Sequence, residues 1–223
     1  MASNIWAVIP AYNEEKSIAE IVRKTKKYIS NVIVIDDGSK DKTKEMAEKS
    51  GAVVLKHVIN LGKGATLKTG CNYALMNKAK YIVVLDADAQ HDPDDIPRFI
   101  EKLKKYDIVF SYRKLNSKMP LVLRFGNWFI SGVSRILYKV DLIDTQSGFR
   151  AFNIESYKKI RWNASDYSME SEMISKAGKQ KLKYVQIPIS TIYSDRYKGT
   201  TILDGMKIVL DMFWWKIFNG ANK

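Results

Sequence analysis

Five carboxylates crowd one short stretch of this sequence, in a chain whose formal net charge is +13. The stretch is YIVVLDADAQHDPDD, and its acidic residues are Asp86, Asp88, Asp92, Asp94 and Asp95. Carboxylates so close together repel one another unless a cation lies among them. On an extended segment Asp86 and Asp88 face the same side, with Gln90 two residues further along. Because hard oxygen ligands suit Mg²⁺ or Mn²⁺, these three residues predict a metal site.

The other three acids of this stretch, Asp92, Asp94 and Asp95, have a simpler interpretation. A helical pattern begins near Asp95, and Asp92 or Asp94 stands where an N-cap side chain accepts hydrogen bonds from backbone N–H groups. We interpret the three as a solvated capping turn. Alone, the D-x-D pattern is compatible with such a turn too, so the metal prediction depends on the companion groups.

The first companion group lies in VIPAYNEE, just after an apolar stretch near the N-terminus. Pro10 and Tyr12 follow the predicted strand, and the tyrosine ring could stack on a nucleobase. Glu14 could accept hydrogen bonds from ribose hydroxyls. The alternative is a plain turn with acids in the first turn of a helix, where the helix dipole favours them.

The second companion group lies in VIDDGSKDKT, after the second apolar stretch. The carboxylates of Asp36 and Asp37 could accept hydrogen bonds from the N–H groups of a base, and Gly38 permits a tight turn. The alternative, that Ser39 or Asp41 caps the next helix, holds whatever Asp37 does.

A glycine pair around Lys63, in NLGKGAT, resembles a phosphate-binding loop. The sequence fails the strict patterns, because the Walker A spacing is absent and Leu67 stands where the dinucleotide fingerprint has its third glycine. A lysine between glycines at the start of a helix still predicts contact with a diphosphate.

Short β-branched stretches alternate with helical patterns through the first half of the chain. The predicted strands are NIWAVIP, NVIVIDD, AVVLKH, YIVVLDAD and DIVFSY, and the predicted helices are 14–28, 41–50, 64–78 and 96–105. This alternation indicates an α/β fold with a mostly parallel sheet covered on both faces. Ligands of such sheets bind beyond the carboxyl ends of the strands, so the polar groups above should converge.

The second half is less regular and carries a basic region. From 108 to 140 there is no acidic residue, and the basic residues are Arg113, Lys114, Lys118, Arg124, Arg135 and Lys139. The patterns predict helices over 119–140 and 168–177, a structured loop DTQSGFRAFN leading into a short strand, a strand LKYVQIPISTIY, and a closing amphipathic helix after residue 200. We find no repeat and no linker.

Composition limits the classes of protein that this chain can be. Its 223 residues suffice for one domain, and the single cysteine, Cys71, excludes an internal disulfide and fits a reducing compartment. The N-terminus has no signal-peptide pattern, and no run of about 20 apolar residues predicts a membrane span. The positive charge predicts an anionic partner: a nucleic acid, a membrane surface or a phosphorylated molecule.

In their order and spacing, VIPAYNEE, VIDDGSKD, NLGKGAT, VLDADAQH and DTQSGFRAF resemble family 2 glycosyltransferases over about residues 4–200. The resemblance is strongest to the dolichyl-phosphate mannose synthase branch. It implies a GT-A type nucleotide-sugar-binding fold and transfer of a sugar, GDP-mannose favoured over a UDP-sugar as donor, to a dolichyl or other polyprenyl phosphate. By position it assigns Pro10, Tyr12, Glu14, Asp36, Asp37, Lys63, Asp86 and Asp88 to the donor, and Asp86, Asp88 and Gln90 to the metal.

The same resemblance implies an acceptor site made of arginines. A lipid phosphate is already an anion and needs no base, whereas forked guanidinium groups suit its oxygens. Arg113 and Arg124 match this role, and with Asp88 they form the predicted catalytic set; Ser147 and Arg150 lie nearby in pattern. Arg196 and Lys198 resemble a loop that closes over the donor.

Two features separate this chain from other members of the family. Enzymes that glycosylate hydroxyls commonly carry a glutamate–aspartate pair before a late helix, with the aspartate as base, whereas here Glu170 and Glu172 stand in YSMESEM. Some relatives also have C-terminal membrane spans. We predict instead a catalytic domain over 1–200 and, over 201–223, an amphipathic helix of the same domain that lies in the membrane interface.

The predicted protein is therefore an inverting, metal-dependent enzyme, peripheral on the cytoplasmic face of a membrane, with a nucleotide sugar, a polyprenyl phosphate and the membrane surface as partners and no nucleic acid. The first alternative is a family 2 transferase acting on a saccharide hydroxyl, for which replacing Glu170 or Glu172 would abolish activity. The second is a non-catalytic, basic nucleic-acid-binding protein. The interfacial helix has an alternative too, in which it covers the core or a second subunit.

Overall fold

The computed structural model of the protein describes residues 4–113, 121–190, 207 and 210–214, with residues 121–127 described by their backbone. In this part of the chain seven strands form one sheet. They are β1 (Ile5–Ala11), β2 (Asn31–Asp36), β3 (Val53–Lys56), β4 (Tyr81–Val84), β5 (Ile108–Arg113), β6 (Arg150–Asn153) and β7 (Tyr184–Ile189).

The strand order is β3-β2-β1-β4-β6-β5-β7, and the sheet is mostly parallel, as predicted. The exception is β6, which runs antiparallel to both of its neighbours, β4 and β5. This short strand follows the loop DTQSGFRAFN, so the loop returns the chain to the centre of the sheet. As a result, that loop lies next to the carboxyl end of β4, where Asp86 follows.

Alternate residues of the central strands enter two separate cores, one on each face of the sheet. Val8 and Ile33 belong to one cluster, whereas Ala7, Ile9 and Val34 belong to the other. Burial on both faces explains why these strands are continuously apolar in sequence.

Seven helices flank the sheet in the described part of the chain. They are α1 (Ile18–Lys26), α2 (Thr43–Lys49), α3 (Lys63–Met76), α4 (Ile96–Lys102), α5 (Leu121–Tyr138), α6 (Ile154–Ile160) and α7 (Ser168–Lys179). The predicted helices that lie within the described residues up to 190 are thus present, most of them shorter at their ends, whereas α6 was not predicted. Before α4, a short 3₁₀ turn spans Pro93–Asp95. The carboxylate of Asp92 accepts from the backbone N–H of Asp94 at 3.1 Å, which confirms the capping interpretation for Asp92.

The described residues near the C-terminus, 207 and 210–214, are helical and touch the body of the protein. Met212 is fully buried, and its carbonyl accepts a hydrogen bond from Tyr138 Oη. Ser168 Oγ donates to Asp211 at 2.8 Å, and Lys207 pairs with Asp166. No helix among the described residues is long and apolar enough to cross a bilayer. The division at residue 200 stays a prediction.

Candidate active site

The predicted polar groups meet at one edge of the sheet. Strand β1 lies between β2 and β4 and is parallel to both, so the residues that follow these three strands converge. The backbone N–H of Asp37 donates to Ala11 O at 2.8 Å, which continues the β1–β2 pairing into the loops. The convergence predicted from the strand ends is therefore observed.

An ion-pair cluster lies at the centre of this edge. Lys63 Nζ is 2.9 Å from Asp86 Oδ1 and 3.3 Å from Glu170 Oε1. Burial alone would lower the pKa of Lys63, but the charges of Asp86 and Glu170 outweigh it and raise that pKa above its ordinary value. In the same way, Lys63 overcomes the effect of burial on Asp86 and keeps its pKa low. Lys63 and Asp86 are therefore charged at neutral pH.

Asp88 has different surroundings from Asp86. Burial, followed by the charge of Asp86, raises the pKa of Asp88 to about 6. Its Oδ1 accepts from the backbone N–H of Gln90 at 3.0 Å. His91 supplies no positive charge at neutral pH, because burial lowers its pKa to about 4. A divalent cation held by both carboxylates would offset the charge that raises the pKa of Asp88.

The Asp86–Asp88 pair fits a divalent cation that the substrate helps to hold. Among the residues that the structure describes, no group of three or more His, Cys, Asp or Glu side chains is placed to hold a metal ion. Two carboxylates with water and diphosphate oxygens form a typical Mg²⁺ site. Asp86 and Asp88 thus suit a divalent cation whose other ligands are water or ligand oxygens, and the predicted part of Gln90 in the site stays a prediction.

Gly148 leaves space for Asp86. A Cβ on Gly148 would lie 2.9 Å from Asp86 Cγ and closer still to Oδ2. The SGF sequence before β6 therefore needs a glycine here because the backbone passes against the carboxylate. A side chain at this position would push Asp86 out of its place beside Lys63.

Asp37 organises a neighbouring loop. It is 3% exposed, and its two oxygens accept from the backbone N–H groups of Leu61 and Gly62 at 3.0 and 2.9 Å. His57 Nδ1 lies 2.6 Å from the same carboxylate. Asp37 thus holds the glycine loop that leads to Lys63. Its predicted contact with a nucleoside stays a prediction.

Asp36 and the VIPAYNEE loop are joined by side-chain contacts. Asp36 is fully buried and accepts from Ser39 N at 2.8 Å, so it holds the turn, and its contact with a donor stays a prediction too. Ser39 Oγ accepts from Asn13 N at 2.9 Å. Tyr12, in contrast, is 43% exposed, so its ring is available to a ligand.

The remaining residues of these two loops have structural contacts as well. The side chain of Asp41, not that of Ser39, accepts from Thr43 N at the start of α2, at 3.0 Å. Glu14 accepts a hydrogen bond from Ser17 Oγ at 3.1 Å. Pro10 lies within β1, beside the second strand.

The glycines around Lys63 serve a different purpose from the predicted one. Ser165 O accepts from the backbone N–H groups of Gly64 and Ala65 at 2.7 and 3.2 Å, which closes the N-terminus of α3. A Cβ on Gly64 would lie 2.8 Å from Ser165 C, and one on Gly62 3.3 Å from the same atom. The glycines therefore admit the backbone of residues 164–166. The backbone N–H groups of Gly64 and Ala65 are thus used by this segment, and the contact of Lys63 with a diphosphate stays a prediction.

The predicted acceptor residues have two kinds of surroundings. The Arg113 guanidinium donates two hydrogen bonds to the Asp144 carboxylate, from Nε to Oδ2 at 2.7 Å and from Nη2 to Oδ1 at 3.1 Å. Arg150 is 3% exposed and donates to the carbonyls of Ser147 and Thr145 at 2.9 and 2.7 Å. Arg150 thus holds the loop before β6, and its contact with an acceptor phosphate stays a prediction.

The other predicted acceptor-side residues are less defined. Ser147 is 2% exposed and shares a hydrogen bond with Ser111 at 2.5 Å. Arg124 lies in α5, in the part described by its backbone. Arg196 and Lys198 lie outside the described residues.

Three residues of the site escaped the sequence analysis, and a fourth was interpreted differently. Asp144, His57 and Ser165 contact Arg113, Asp37 and the start of α3. His57 stands at the end of β3, but none of the three belongs to a chemical pattern of its own. Asp144 lies in the DTQSGFRAF sequence, which was the available signal. Glu170 was considered as a catalytic base but contacts Lys63.

Comparison with known proteins gives a consistent result. The sequence model of the family described as Glycosyl transferase family 2 matches residues 6–166. The chain is similar to an uncharacterized protein of Methanocaldococcus jannaschii, with 39% identity over 96% of this chain and 93% of the other. It is also similar to the UDP-N-acetylglucosamine–dolichyl-phosphate N-acetylglucosaminyltransferase of Methanococcus voltae, with 35% identity over 96% of each chain.

Among solved structures, the chain is similar to glucosyl-3-phosphoglycerate synthase from Mycobacterium tuberculosis in complex with Mn²⁺, uridine diphosphate and glucosyl-3-phosphoglycerate. The TM-score is 0.73 at 22% identity, over 96% of this chain and 79% of the other. At this level of identity the likeness concerns the fold. It confirms the predicted GT-A type.

Proposed function

This chain belongs to glycosyl transferase family 2, and from that premise we propose that it transfers a sugar from a nucleotide-sugar donor to a polyprenyl phosphate, with inversion and with Mg²⁺ or Mn²⁺. The observation that carries the proposal is the 35% identity, over 96% of both chains, to a dolichyl-phosphate N-acetylglucosaminyltransferase. The family is one of enzymes, so the chain is a glycosyltransferase, and the non-catalytic nucleic-acid-binding alternative is set aside.

On the donor side, Asp86, Asp88 and Gln90 would hold the cation. When bound there, a divalent cation neutralises the charge that develops on the departing diphosphate. Lys63 stands beside Asp86 and brings a second positive charge to the same place. Tyr12 and Glu14, at the rim, would contact the nucleoside.

On the acceptor side, positioning replaces proton removal. A lipid phosphate attacks the anomeric carbon as an anion, so the protein needs to orient it and to offset its charge. The ion pair with Asp144 fixes the plane of the Arg113 guanidinium, which would contact the phosphate together with Arg124. Arg196 and Lys198 would close over the bound donor.

The alternative of a saccharide hydroxyl acceptor requires a carboxylate that is able to take a proton. Glu172 Oε2 accepts from the backbone N–H groups of Asn163 and Ala164 at 2.8 and 2.9 Å, so this carboxylate holds a loop. Glu170 is paired with Lys63. Because Glu172 holds a loop and Glu170 is ion-paired through Oε1, these contacts support an acceptor that is already ionised.

A membrane surface is the proposed meeting place with the lipid. Large apolar side chains of α5 and of the terminal helical segment are exposed; they are Trp128, Phe129 and Ile136, and Leu210, Phe213 and Trp214, respectively. Apolar side chains concentrated on an amphipathic helix suit the boundary between headgroups and acyl chains. Peripheral attachment at the cytoplasmic face agrees with the reducing compartment inferred from the single cysteine.

Release of the nucleoside diphosphate tests this function. Purified protein with Mn²⁺ would be given GDP-mannose, UDP-N-acetylglucosamine or other nucleotide sugars, with and without a short-chain polyprenyl phosphate. We expect release from one donor that depends on the lipid phosphate. Equal release without lipid, or release stimulated by a saccharide, would contradict the proposed acceptor.

A further inference from the structure

Glu170 has features that simple packing leaves unexplained. Its side chain is 2% exposed, and an ionised carboxylate so deeply buried is costly unless it is paired. Lys63 Nζ lies 3.3 Å from Oε1. Oε2, however, is buried and has no hydrogen-bond partner among the described residues. Glu170 thus has unused capacity to accept hydrogen bonds, next to a lysine.

The ammonium group of Lys63 is ion-paired with two carboxylates. It is closer to Asp86, at 2.9 Å, than to Glu170. The ammonium also lies 5.7 Å from the centre of the Tyr167 ring, so an aromatic face borders its position. Asp86 is one of the two carboxylates that would bind the divalent cation, so that cation would compete with Lys63 for the same carboxylate.

We infer that Glu170 is a positioning residue that receives the Lys63 ammonium when a divalent cation takes Asp86. Without Glu170, displacing Lys63 from Asp86 would leave a largely buried ammonium with no carboxylate partner, which is costly. With it, the lysine moves onto both oxygens of Glu170 and stays beside the diphosphate. The inference rests on the proposed metal-dependent transfer and explains why a lysine and a cation share one site.

Binding of Mn²⁺ alone, followed by its electron paramagnetic resonance signal at neutral pH, tests the inference without any turnover. The full chain would be compared with Glu170→Gln, Lys63→Met and the double variant. Glu170→Gln should weaken Mn²⁺ binding about tenfold, the size of coupling found between residues in contact. Lys63→Met removes the competitor and should tighten binding.

The double variant separates this role from a simple loss of negative charge. If Glu170 acts through Lys63, Glu170→Gln in the Lys63→Met background should change Mn²⁺ affinity by less than about threefold. An equal loss of Mn²⁺ affinity in both backgrounds would overturn the inference, because Glu170 would then act only through the electrostatic effect of its negative charge on the cation. Glu155→Gln, on the exposed surface of α6, is the matched control and should change nothing.

Two further outcomes distinguish a failure of this inference from a failure of the proposed function. If Mn²⁺ binds the parent protein and Asp88→Asn removes the binding, but the variants show no coupling, the inference fails while the proposed function stands. If the parent protein binds no Mn²⁺, the inference fails, whereas the proposed function is tested separately by the lipid-dependent release of the nucleoside diphosphate. Circular dichroism checks folding, and if Glu170→Gln does not fold, weaker or unchanged binding in Lys63→Met alone overturns the inference.

Discussion

Asp86 and Asp88 stand two residues apart but differ in their charge balance. Lys63 at 2.9 Å keeps the pKa of Asp86 low despite its burial. For Asp88, burial and the charge of Asp86 raise the pKa to about 6. A cation held by both carboxylates would relieve Asp88 more than Asp86, because Asp86 already has Lys63 as a partner. At the scale of single residues, Asp88 should therefore be the more sensitive position.

Replacing Asp88 with asparagine should reduce sugar transfer at least about 100-fold, because the departing diphosphate loses its charge neutralisation. Lipid-dependent release of the nucleoside diphosphate measures the effect. Asp94→Asn provides the control from the same acidic stretch: its carboxylate contacts Tyr28 Oη at the surface, so turnover should stay within about twofold of the parent enzyme. Full activity of Asp88→Asn would exclude Asp88 as a metal ligand.

Replacing Asp144 with asparagine should loosen Arg113 and raise the KM for polyprenyl phosphate about tenfold, with the KM for the donor unchanged. The variant also breaks a buried ion pair, at a cost of about 3 kcal/mol, so thermal unfolding should be recorded in parallel. The control is Asp141→Asn, which removes an exposed pair with Arg135. A rise in the donor KM instead would place Arg113 on the donor side.

At the scale of elements, the segment between α6 and α7 forms hydrogen bonds that link the start of α3 to α7. Its Ser165 carbonyl closes the N-terminus of α3, and Glu172 of α7 holds Asn163 and Ala164. Trp162 Nε1 donates to Gly64 O at 2.8 Å. The position of Lys63, the first residue of α3, therefore depends on a segment from the other half of the chain.

Replacing Gly64 with alanine should separate α3 from this segment, because a Cβ there would lie 2.8 Å from Ser165 C and 3.0 Å from Asp166 O. Overpacking of this kind should destabilise the protein by about 1–3 kcal/mol and weaken nucleotide binding. Thermal unfolding and calorimetry with the nucleoside diphosphate measure the two effects.

A matched control for this prediction is Gly132→Ala in α5, where a Cβ meets nothing within 4 Å. Removing a glycine from a helix interior should leave stability unchanged or raise it by up to about 1 kcal/mol. Equal unfolding temperatures for the Gly64 variant and the parent protein would show that the close approach is not required.

At the scale of the whole molecule, the helical segment that includes residues 207 and 210–214 packs on elements near the candidate site and carries part of the proposed membrane contact. The terminal helical segment touches α5 through Tyr138 and Met212 and touches the start of α7 through Ser168 and Asp211. The exposed apolar side chains therefore lie on two elements, α5 and the terminal helical segment, that pack against the same domain as the candidate site.

Replacing Trp214 with glutamate should reduce binding to vesicles of phosphatidylcholine and phosphatidylglycerol about tenfold, because an exposed aromatic ring is exchanged for a charge at an anionic surface. Vesicle sedimentation measures the binding, and nucleotide affinity should stay unchanged. Met76→Glu, at an exposed end of α3, is the control for added charge. If both variants sediment like the parent protein, attachment does not involve the terminal helix.

The sequence by itself determined the central sheet and the meeting of its polar strand ends. Apolar strands that alternate with helices require parallel pairing, and the carboxyl ends of parallel strands share an edge. For that reason Tyr12, Asp37 and Asp86 were predicted to converge. The family resemblance followed from the same residues, since it depends on their order and spacing.

The tertiary structure alone decided which partner each charge has. Glu170 reaches Lys63, Asp144 reaches Arg113, and Ser165 reaches the start of α3, all across long separations in sequence. Such pairings depend on the paths of the loops before β6 and before α7, which have no periodicity to interpret. A glycine pattern alone does not reveal whether a phosphate or another segment of backbone will lie beside it. The answer depends on which distant segment of the chain packs there in the folded protein.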